Sequence, residues 1–324
     1  MNFLILKTKN PYLNLAIEEY LFKKSKEDVF ILWQNEPTVV IGKNQNAYTE
    51  VNNEYAKAHD IHVARRISGG GAVYHDAGNV NYTYISESSD SGIDFLKFTA
   101  PIIKALDSMG VKVMLSGRND LVTKDGRKIS GNAEHCESGR VLHHGTLLFD
   151  TDVETMSAVL NVDTKKLNSK GIKSVRSRVT SVKQLLNKEL SVEEFIESLA
   201  SFIIREYSPE MISPPIDHEV ELLHQRNASF EWIYSDRSFL TSYDIVYKKR
   251  FDFGSVALSL KMNGEIIDSA RFEGDFFAKS DVSELERFFV GKTREELINI
   301  VRNIDLSDFI YGMSAEDFTE LIKE

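Results

Sequence analysis

The sequence predicts an α+β fold, with a large mixed sheet and flanking helices in residues 1–245 and a small α+β domain in residues 246–324. Three observations lead to this prediction. Hairpin signals and helical segments mix through the first 150 residues, without the regular βαβα order of a doubly wound sheet. A second group of strand formers and short helices begins near residue 247. The chain of 324 residues, 42% apolar and 27% charged, is long enough for both domains and has a globular composition.

Charge and cysteine content restrict the class of protein. The formal net charge of −10 argues against a nucleic-acid-binding surface spread over the whole molecule. Cys136 is the only cysteine, which excludes an internal disulfide and suits a reducing compartment. The N-terminal apolar run is too short for a signal peptide, and no stretch approaches the roughly 18–20 apolar residues of a membrane span. We therefore expect a cytoplasmic protein without nucleic-acid or membrane partners.

The N-terminal elements follow from capping and periodicity. Residues 10–22, NPYLNLAIEEYLF, predict an amphipathic helix with Asn10 as its N-cap and Pro11 in its first turn. Its apolar face is expected to carry Leu13, Ala16, Ile17, Tyr20 and Leu21. The next elements predicted are strands at 29–33, 38–42 and 61–67 and a helix at 52–60.

The middle of the chain is marked by turns. Residues 79–86 are rich in strand formers, and the turn at 76–78, DAG, is expected to fold them back on residues 72–75. Asp125–Gly126 is a strong hairpin signal. The other elements predicted are a helix at 94–109 closed by Gly110, a strand at 141–149, helices at 152–161 and 191–207 (the second with a capping box of Ser191 and Glu194), and a hairpin at Asn263–Gly264.

Residues 165–183 form a basic segment, with seven Lys or Arg residues and no acid. Few apolar residues recur at a helical period, so we interpret the segment as a loop. Its Ser, Thr and Gly residues predict mobility, and its charge predicts an anion within reach. That anion is either a polyphosphate or the surface of an acidic protein partner; the alternative is a plain solvated loop.

The glycine-rich stretch RRISGGGAVYHDAGN (65–79) is the first candidate for a binding site. Its three consecutive glycines allow backbone N–H groups to point into one concavity, which suits an anion. Neither GxGxxG nor GxxxxGK[ST] is present, so it matches no helix-opening phosphate loop. Arg65 and Arg66 suit phosphate or carboxylate, and strand alternation predicts that only one of them points inward. The alternative is a flexible glycine turn.

Lys128, in KISGNA (128–133), is the second candidate. Most single lysines are solvated surface residues, but Ser130 and Gly131 follow it and allow close approach of a ligand. An ammonium group among small residues suits an α-phosphate and a carboxylate oxygen. Asp120, in GRND (117–120), is either a turn residue or a Mg²⁺ contact.

The histidines do not form a metal pattern. His143 and His144 are adjacent in a predicted strand, so they face opposite ways and cannot bind one metal there. With no HExxH and no cysteine cluster, no zinc site is predicted. One of the two is expected as a hydrogen-bonding wall residue near Thr146. His75, next to Asp76, is either a base or part of a turn-stabilising pair.

Seven motifs, taken in order, resemble those of lipoate–protein ligases of the A type, in the superfamily of biotin ligases and octanoyl transferases. The resemblance covers essentially the whole chain. It implies a catalytic domain in residues 1–245 and the accessory domain of two-domain ligases in residues 246–324. The motifs are NPYLNLAIEEYLF (10–22), GKNQNA (42–47), RRISGGGAVYHDAGN (65–79), GRNDLV (117–122), KISGNA (128–133), HHGTLL (143–148) and KGIKSVRSRVTS (170–181).

The resemblance implies a two-step reaction. Lipoate, and by extension octanoate, reacts with MgATP to give an acyl-AMP and pyrophosphate; the acyl group then passes to a lysine of an apo lipoyl domain or of the glycine cleavage H protein. It also implies that Arg66 and the backbone of residues 71–74 contact the nucleotide, and that Lys128 contacts the α-phosphate and the lipoyl carbonyl. The candidate site taken from these motifs comprises Arg66, Ser68, Gly69, Gly70, Gly71, Ala72, Val73, Tyr74, Asn79, Asp120, Lys128, Ser130, Gly131, His144 and Thr146.

Other readings remain open from the sequence. A cysteine-dependent octanoyl transferase needs a thiol, and Cys136 lies in what we interpret as a hydrophilic loop, NAEHCESGR. An ATP-independent lipoyl amidotransferase and a ligand-binding module without catalysis are the other two. The lipoyl chain needs an apolar tunnel, for which Val73, Tyr82 and Tyr84 are candidates if they are not ordinary core. The basic segment 165–183 is a candidate lid over the reactive anhydride.

Overall fold

The computed structural model describes residues 1–87, 94–161, 178–234 and 243–323, and its architecture confirms the predicted α+β class. The larger part rests on an eight-stranded mixed sheet and a three-stranded sheet. The C-terminal part rests on a separate three-stranded antiparallel sheet covered by helices. Among the described residues, no helix has both the length and the apolar character that crossing a bilayer requires.

The strands and helices are numbered here in chain order. The strands are β1 Asn2–Ile5, β2 Val29–Trp33, β3 Thr38–Ile41, β4 His62–Arg65, β5 Val73–His75, β6 Asn79–Glu87, β7 Val113–Ser116, β8 Asp120–Thr123, β9 Lys128–Glu137, β10 Arg140–Leu148, β11 Glu210–Met211, β12 Ile245–Phe251, β13 Gly254–Asn263 and β14 Ile266–Gly274. The helices are α1 Pro11–Lys24, α2 Ala47–Glu50, α3 Asn53–Ala58, α4 Phe95–Ser108, α5 Val153–Val159, α6 Val182–Leu185, α7 Val192–Tyr207, α8 His218–Ala228, α9 Phe230–Ile233, α10 Val282–Phe289, α11 Arg294–Val301, α12 Leu306–Phe309 and α13 Ala315–Leu321.

The large sheet has the strand order β11-β1-β2-β6-β10-β9-β8-β7, and the small one β4-β3-β5. Two of the three predicted hairpins are confirmed. β8 pairs antiparallel with β9 across Asp125–Gly126, where Gly126 has φ +82°. β13 pairs with β14 across Asn263–Gly264. The capping box predicted for the helix at 191–207 is also present in α7, between Ser191 and Glu194.

Helix α1 has the predicted cap but not the predicted apolar face. The Asn10 side chain accepts a hydrogen bond from the Leu13 N–H at 3.0 Å, with Pro11 at the start of the helix. Leu13 and Tyr20 are only half-buried, whereas polar residues such as Asn14 are buried. The helix packs against the sheet on one side and against α8 on another, so burial extends around most of its circumference.

The turn at 76–78 does not form the predicted hairpin. β5 pairs antiparallel with β3 in the small sheet, while β6 pairs with β2 and β10 in the large one. The carboxylate of Asp76 accepts from the Gly78 N–H at 2.9 Å and from the Asp152 N–H at 2.7 Å. These bonds fix a turn that carries the chain from one sheet to the other, and the two sheets diverge at this point.

The C-terminal part has an apolar core of its own, in which β12–β14 pack against α10–α13. It also lies against the glycine-rich stretch: the Gly70 N–H donates to the Phe276 carbonyl at 3.2 Å. The Lys43 ammonium lies 2.9 Å from the Asp281 carboxylate across the same boundary. The predicted domain boundary near residue 245 follows residues 235–242, which are outside the described part of the chain, and it stays a prediction.

Most of the basic segment, residues 165–177, also lies outside the described residues. Its end, 178–183, is described and contacts β9. Val179 forms a parallel bridge with Lys128, and the Thr180 N–H donates to the Lys128 carbonyl at 2.9 Å. The segment therefore ends beside the second candidate residue for ligand binding.

Candidate active site

A cavity of about 100 Å³ opens between the two sheets of the larger part. The small sheet and the glycine-rich stretch form one side of it, the central strands of the large sheet form the other, and Leu15 of α1 and Trp33 of β2 close it. The residues that line it are Leu15, Trp33, Val40, Arg66, Gly71, Ala72, Val73, His75, Asn81, Asn119, Lys128, Gly131, Asn132, Ala133, His144, Gly145 and Thr146.

The structure brings eight of the fifteen candidate residues to this cavity. They are Arg66, Gly71, Ala72, Val73, Lys128, Gly131, His144 and Thr146. Tyr74, Asn79 and Ser130 are buried nearby but do not line it. Tyr82 belongs to the apolar core and Tyr84 packs against it, so of the three proposed tunnel residues only Val73 lies at the cavity.

Lys128 reaches the cavity from the start of β9. Its ammonium nitrogen lies 2.7 Å from Oδ1 of Asp120 on the neighbouring β8, and both side chains are about one-third exposed. A Cβ atom at Gly131 would lie 2.9 Å from the Lys128 Nζ. Gly131 therefore leaves the space in which the ammonium group sits, as expected for a small residue next to a ligand-binding lysine.

Arg66 reaches the cavity from the opposite side and is almost fully buried. Its guanidinium donates to the carbonyls of Val40 at 3.0 Å, Gly69 at 2.7 Å and Gly71 at 2.8 Å, and its Nε–H donates to Ser68 Oγ at 3.0 Å. Burial lowers the pKa of Arg66 to about 10, so the group is still a cation at neutral pH. It is held rigidly with its charge at the cavity wall.

Arg65 is buried as well, but only Arg66 lines the cavity, so the prediction that one of the two arginines points inward is confirmed. The Arg65 guanidinium does not line the cavity. It donates to the carbonyls of Gly42, Lys43 and Gln45 on one side and to those of Trp232 and Ile233 on the other. Alternation separates the two side chains, but both sides of this short strand are covered.

His144 is the histidine expected at the wall, and it belongs to a buried chain of polar groups. Its Nδ1 lies 2.9 Å from Oε1 of Glu18, and its Nε2 lies 2.7 Å from Ser68 Oγ. Glu18 also accepts from the Thr83 hydroxyl at 2.6 Å. His143 faces the other way, as predicted, and its Nδ1 lies 2.8 Å from the buried carboxylate of Glu134.

The three glycines serve different purposes. Gly71 lines the cavity. Gly70 adopts φ +87°, which favours glycine, and the Cβ of any residue at Gly69 would clash with the Phe276 carbonyl oxygen. Two of the three are therefore fitted to the C-terminal part, and the third to the cavity.

No cluster of three or more His, Cys, Asp or Glu side chains suited to a metal ion occurs within residues 1–87, 94–161, 178–234 and 243–323. Asp120 is the oxygen donor beside Lys128, where its carboxylate faces the ammonium group.

The sequence left several cavity residues unassigned. The sequence pattern does not distinguish a cavity wall from packed core, so it gave no signal for Trp33, Val40 and Leu15. Asn81 is directly opposite Thr146 in the register of β6 and β10. Its place at the cavity follows from the pairing of β6 with β10. The sequence did not indicate that pairing, because the turn at 76–78 predicted a different partner for β6.

The comparisons with known proteins agree with this geometry. The family model for the lipoyl protein ligase A/B catalytic domain matches residues 10–204, and the one for the bacterial lipoate protein ligase C-terminus matches residues 241–322. The chain is 39% identical to the lipoate-protein ligase LplJ of Bacillus subtilis, over 97% of both chains. It is 38% identical to lipoate–protein ligase 1 of Staphylococcus aureus, over 87% of both.

Solved structures extend the comparison. LipL1 of P. falciparum, solved with lipoate, has the same fold with a TM-score of 0.77 at 22% identity, over 94% of both chains. A bipartite lipoate protein ligase from Thermoplasma acidophilum, studied with its E2 lipoyl domain, is 27% identical with a TM-score of 0.62, over 75% of this chain and 98% of that one. The structure of a lipoate-protein ligase A bound with ATP is 26% identical with a TM-score of 0.62, over 72% of this chain and 98% of that one. The chain therefore belongs to the lipoyl protein ligase A/B family of enzymes and carries the C-terminal domain of bacterial lipoate protein ligases.

Proposed function

We propose that this enzyme activates lipoate with ATP to form lipoyl-AMP and then transfers the lipoyl group to a lysine of an acceptor protein. The observation that carries the proposal is one cavity with an apolar end and two cations. Leu15, Trp33 and Val40 suit an alkyl chain, while Arg66 and Lys128 suit a carboxylate and a phosphate. An acyl-adenylate has both features: its alkyl chain suits the apolar end, and its acyl-phosphate group suits the two cations.

The first step needs positive charge at the reacting centre. A carboxylate oxygen attacks the α-phosphorus of ATP, and pyrophosphate leaves with the electrons of the broken P–O bond. Both reactants are anionic, so the fixed guanidinium of Arg66 and the ammonium of Lys128 stabilise the charge that develops. Asp120, next to Lys128, would offer a carboxylate oxygen to the Mg²⁺ that accompanies ATP, and that ion would neutralise phosphate charge.

The second step replaces AMP by an amine. A neutral lysine amine of the acceptor attacks the acyl carbonyl, AMP leaves, and an amide forms. Lys128 contacts the carbonyl oxygen and the phosphate, so it stabilises the negative charge that builds up on both. The related archaeal ligase was studied with its E2 lipoyl domain, and this supports apo lipoyl domains as acceptors here, with the glycine cleavage H protein as a second class.

Lipoate-dependent exchange of labelled pyrophosphate into ATP tests the first step. We expect exchange with lipoate, a comparable signal with octanoate, and none when the acid is omitted. A folded chain that shows no exchange with either acid would contradict the proposal. Mass spectrometry of an apo lipoyl domain and of an apo H protein, each incubated with enzyme, lipoate and MgATP, tests the second step and shows which acceptor is used.

The same assays separate the alternatives. An amidotransferase would move lipoyl from a loaded donor domain without ATP. A cysteine-dependent octanoyl transferase would form a stable adduct on Cys136. The loop assignment of that residue is wrong, since Cys136 lies in β9; burial raises the pKa of its thiol to about 11, and it lines a different cavity from Lys128. We expect no adduct, because the thiolate is scarce at neutral pH.

A further inference from the structure

His75 is a buried histidine at the cavity whose role the mechanism above does not use. It is the last residue of β5 and is only 3% exposed. Val73, two residues earlier, and His75 both line the cavity, as strand alternation requires for side chains on one face. Its ring makes an edge contact with Trp33, with centroids 6.1 Å apart.

A chain of amide groups fixes one nitrogen of this ring. Asn14 Nδ2 donates to the backbone carbonyls of Gln34 at 2.8 Å and Thr8 at 3.2 Å. Carbonyl oxygens only accept, so this atom must be the amide nitrogen. It also donates to Asn35 Oδ1 at 2.9 Å. The other end of Asn35 is therefore its NH₂ group, and this group lies 3.0 Å from His75 Nδ1.

A second amide, that of Asn81, lies near the same ring nitrogen. The Asn81 amide lies 3.4 Å from His75 Nδ1 and 2.8 Å from the Asn79 amide, whose Oδ1 has no partner in the described part of the chain, so this pair does not fix the tautomer. The Asn35 NH₂ group, anchored through Asn14, is therefore the donor to His75 Nδ1. A nitrogen that accepts hydrogen bonds carries no proton, so Nδ1 is the lone-pair nitrogen of the imidazole.

The ring is neutral, and its one proton is on Nε2. Burial, together with the nearby Arg66 and His144, lowers the pKa of His75 to about 3. Nε2 is itself buried and finds no hydrogen-bond partner in the described part of the chain. An unpaired buried donor destabilises the free protein, and a ligand acceptor would remove that cost.

We propose that His75 binds the substrate through Nε2–H, donating a hydrogen bond to an oxygen of the acyl-phosphate group. The inference rests on the proposed function, because the acyl-adenylate proposed there places such an oxygen between Arg66 and Lys128. The amide chain has a definite purpose in this scheme: it holds the ring in the donor tautomer. The same tautomer excludes the role of general base through Nε2, which the sequence left open.

Nitrogen-15 NMR of the histidine-labelled protein tests the tautomer directly. In the free protein we expect the His75 proton on Nε2 and no titration between about pH 5 and pH 9. Octanoate alone supplies the carboxylate, AMP alone the phosphate, and a non-hydrolysable acyl-sulfamoyl adenosine both groups. We expect the Nε2–H resonance to move with the last ligand and with whichever fragment supplies the oxygen. A proton found on Nδ1, or no movement with any of the three, would overturn the proposal.

Substitutions test the consequence for catalysis. His75→Leu should lower kcat/KM for adenylation about 10- to 100-fold, the usual value of one hydrogen bond to a charged group. His75→Gln retains an amide donor and should recover part of that loss. His59→Gln, at an exposed helix end, is the matched control and should behave as the wild-type protein. Equal activity of His75→Leu and wild type would contradict the inference.

Asn35→Asp provides a readout that a purely structural role would not move. An aspartate accepts from Nδ1–H, so the neutral ring loses its Nε2 proton, while the protonated ring keeps it. The adenylation rate of this variant should therefore fall as the pH rises through the new His75 pKa. The rate of wild type should not fall in that pH range. A flat profile in Asn35→Asp, with the proton shown by NMR to be on Nδ1, would refute the inference. If wild type itself forms no adenylate, the proposed function fails, and the NMR result for the tautomer still stands.

Discussion

The two charged walls of the cavity are built in opposite ways. The Arg66 wall, made of Arg66, Ser68 and His144, is buried, and its cation has four fixed acceptors. The Lys128 wall, made of Lys128, Asp120 and Gly131, is partly exposed, and an ion pair orients its cation. A fixed guanidinium orients a ligand without reorganising, whereas a paired ammonium can exchange its carboxylate partner for a substrate oxygen. Changes in the Arg66 wall should therefore affect stability, and changes in the Lys128 wall should affect turnover.

The largest effect is expected for Lys128→Ala. Removal of the ammonium group should lower the rate of adenylate formation by about 10²- to 10³-fold, because a donor aimed at developing charge is lost. The melting temperature should stay near that of wild type, since the side chain is partly exposed. Lys24→Ala is the matched control, as Lys24 at the end of α1 also pairs with one carboxylate, that of Glu219 at 2.9 Å. Near-normal adenylation by Lys128→Ala would remove Lys128 from its assigned role.

Arg66→Met should show the opposite balance for the other wall. It leaves buried carbonyl groups without donors and should destabilise the protein by about 3 kcal/mol, in addition to lowering activity. Urea unfolding measures the loss. Arg127→Met is the control from the other side of the cavity, where the guanidinium is exposed and pairs with Asp125, and it should change stability by less than about 0.5 kcal/mol. Equal losses in the two variants would mean that the walls do not differ in this way.

Gly131→Ala should sharpen the role of the Lys128 wall. The added methyl group meets the end of a flexible side chain, so it displaces the ammonium group rather than the backbone. We expect adenylation to fall about tenfold, roughly 1.4 kcal/mol of barrier, with little change in melting temperature. In the double variant with Lys128→Ala, the alanine at 131 should have no further effect. Additive losses would show that Gly131 acts independently of Lys128.

The smallest effect is expected where the C-terminal part meets the glycine-rich stretch. Partial burial would raise the pKa of Asp281, but hydrogen bonds from Lys43 and Ser283 lower it to about 2. A depressed carboxyl pKa stabilises the folded state above the unfolded value near 4, and this contribution is lost as the pH falls toward 2. Asp281→Asn should therefore lower stability by less than about 1 kcal/mol at neutral pH, because the pair is exposed. Thermal melting should show the difference from wild type shrinking on acidification; a difference that grows would contradict this assignment.

Local rules predicted much of the fold. The Asp125–Gly126 and Asn263–Gly264 hairpins and the cap at Asn10 depend on neighbouring residues alone, and all three are confirmed. The hairpin predicted at 76–78 was wrong. Turn residues determine that the chain reverses locally, but they do not determine which sheet the next strand joins. That choice depends on pairing with residues far away in the chain.

The site divides in the same way. The sequence singled out Arg66 and Lys128, which both line the cavity, because each stands among glycines and small residues within a recognisable motif. The need for glycine at position 69 could not be predicted from the sequence. It arises from the Phe276 carbonyl oxygen, which belongs to a residue more than two hundred positions later in the chain. Glu18 and Asn14 were likewise missed, because polar residues in an amphipathic helix are expected to face solvent. Only the tertiary structure shows that α1 is covered on both sides.

The carbonyl groups around Arg65 have a consequence for synthesis of the chain on the ribosome. Arg65 is held by carbonyls from residues 42–45, which are made before it, and by those of Trp232 and Ile233, which follow much later. β1 likewise finds its outer partner only at Glu210–Met211. A nascent chain that ends before Trp232 therefore lacks two of the carbonyl partners of Arg65, and one that ends before Glu210 leaves the outer edge of β1 unpaired. These contacts join the first and last segments of the larger part, so they form only after nearly all of that part has been made.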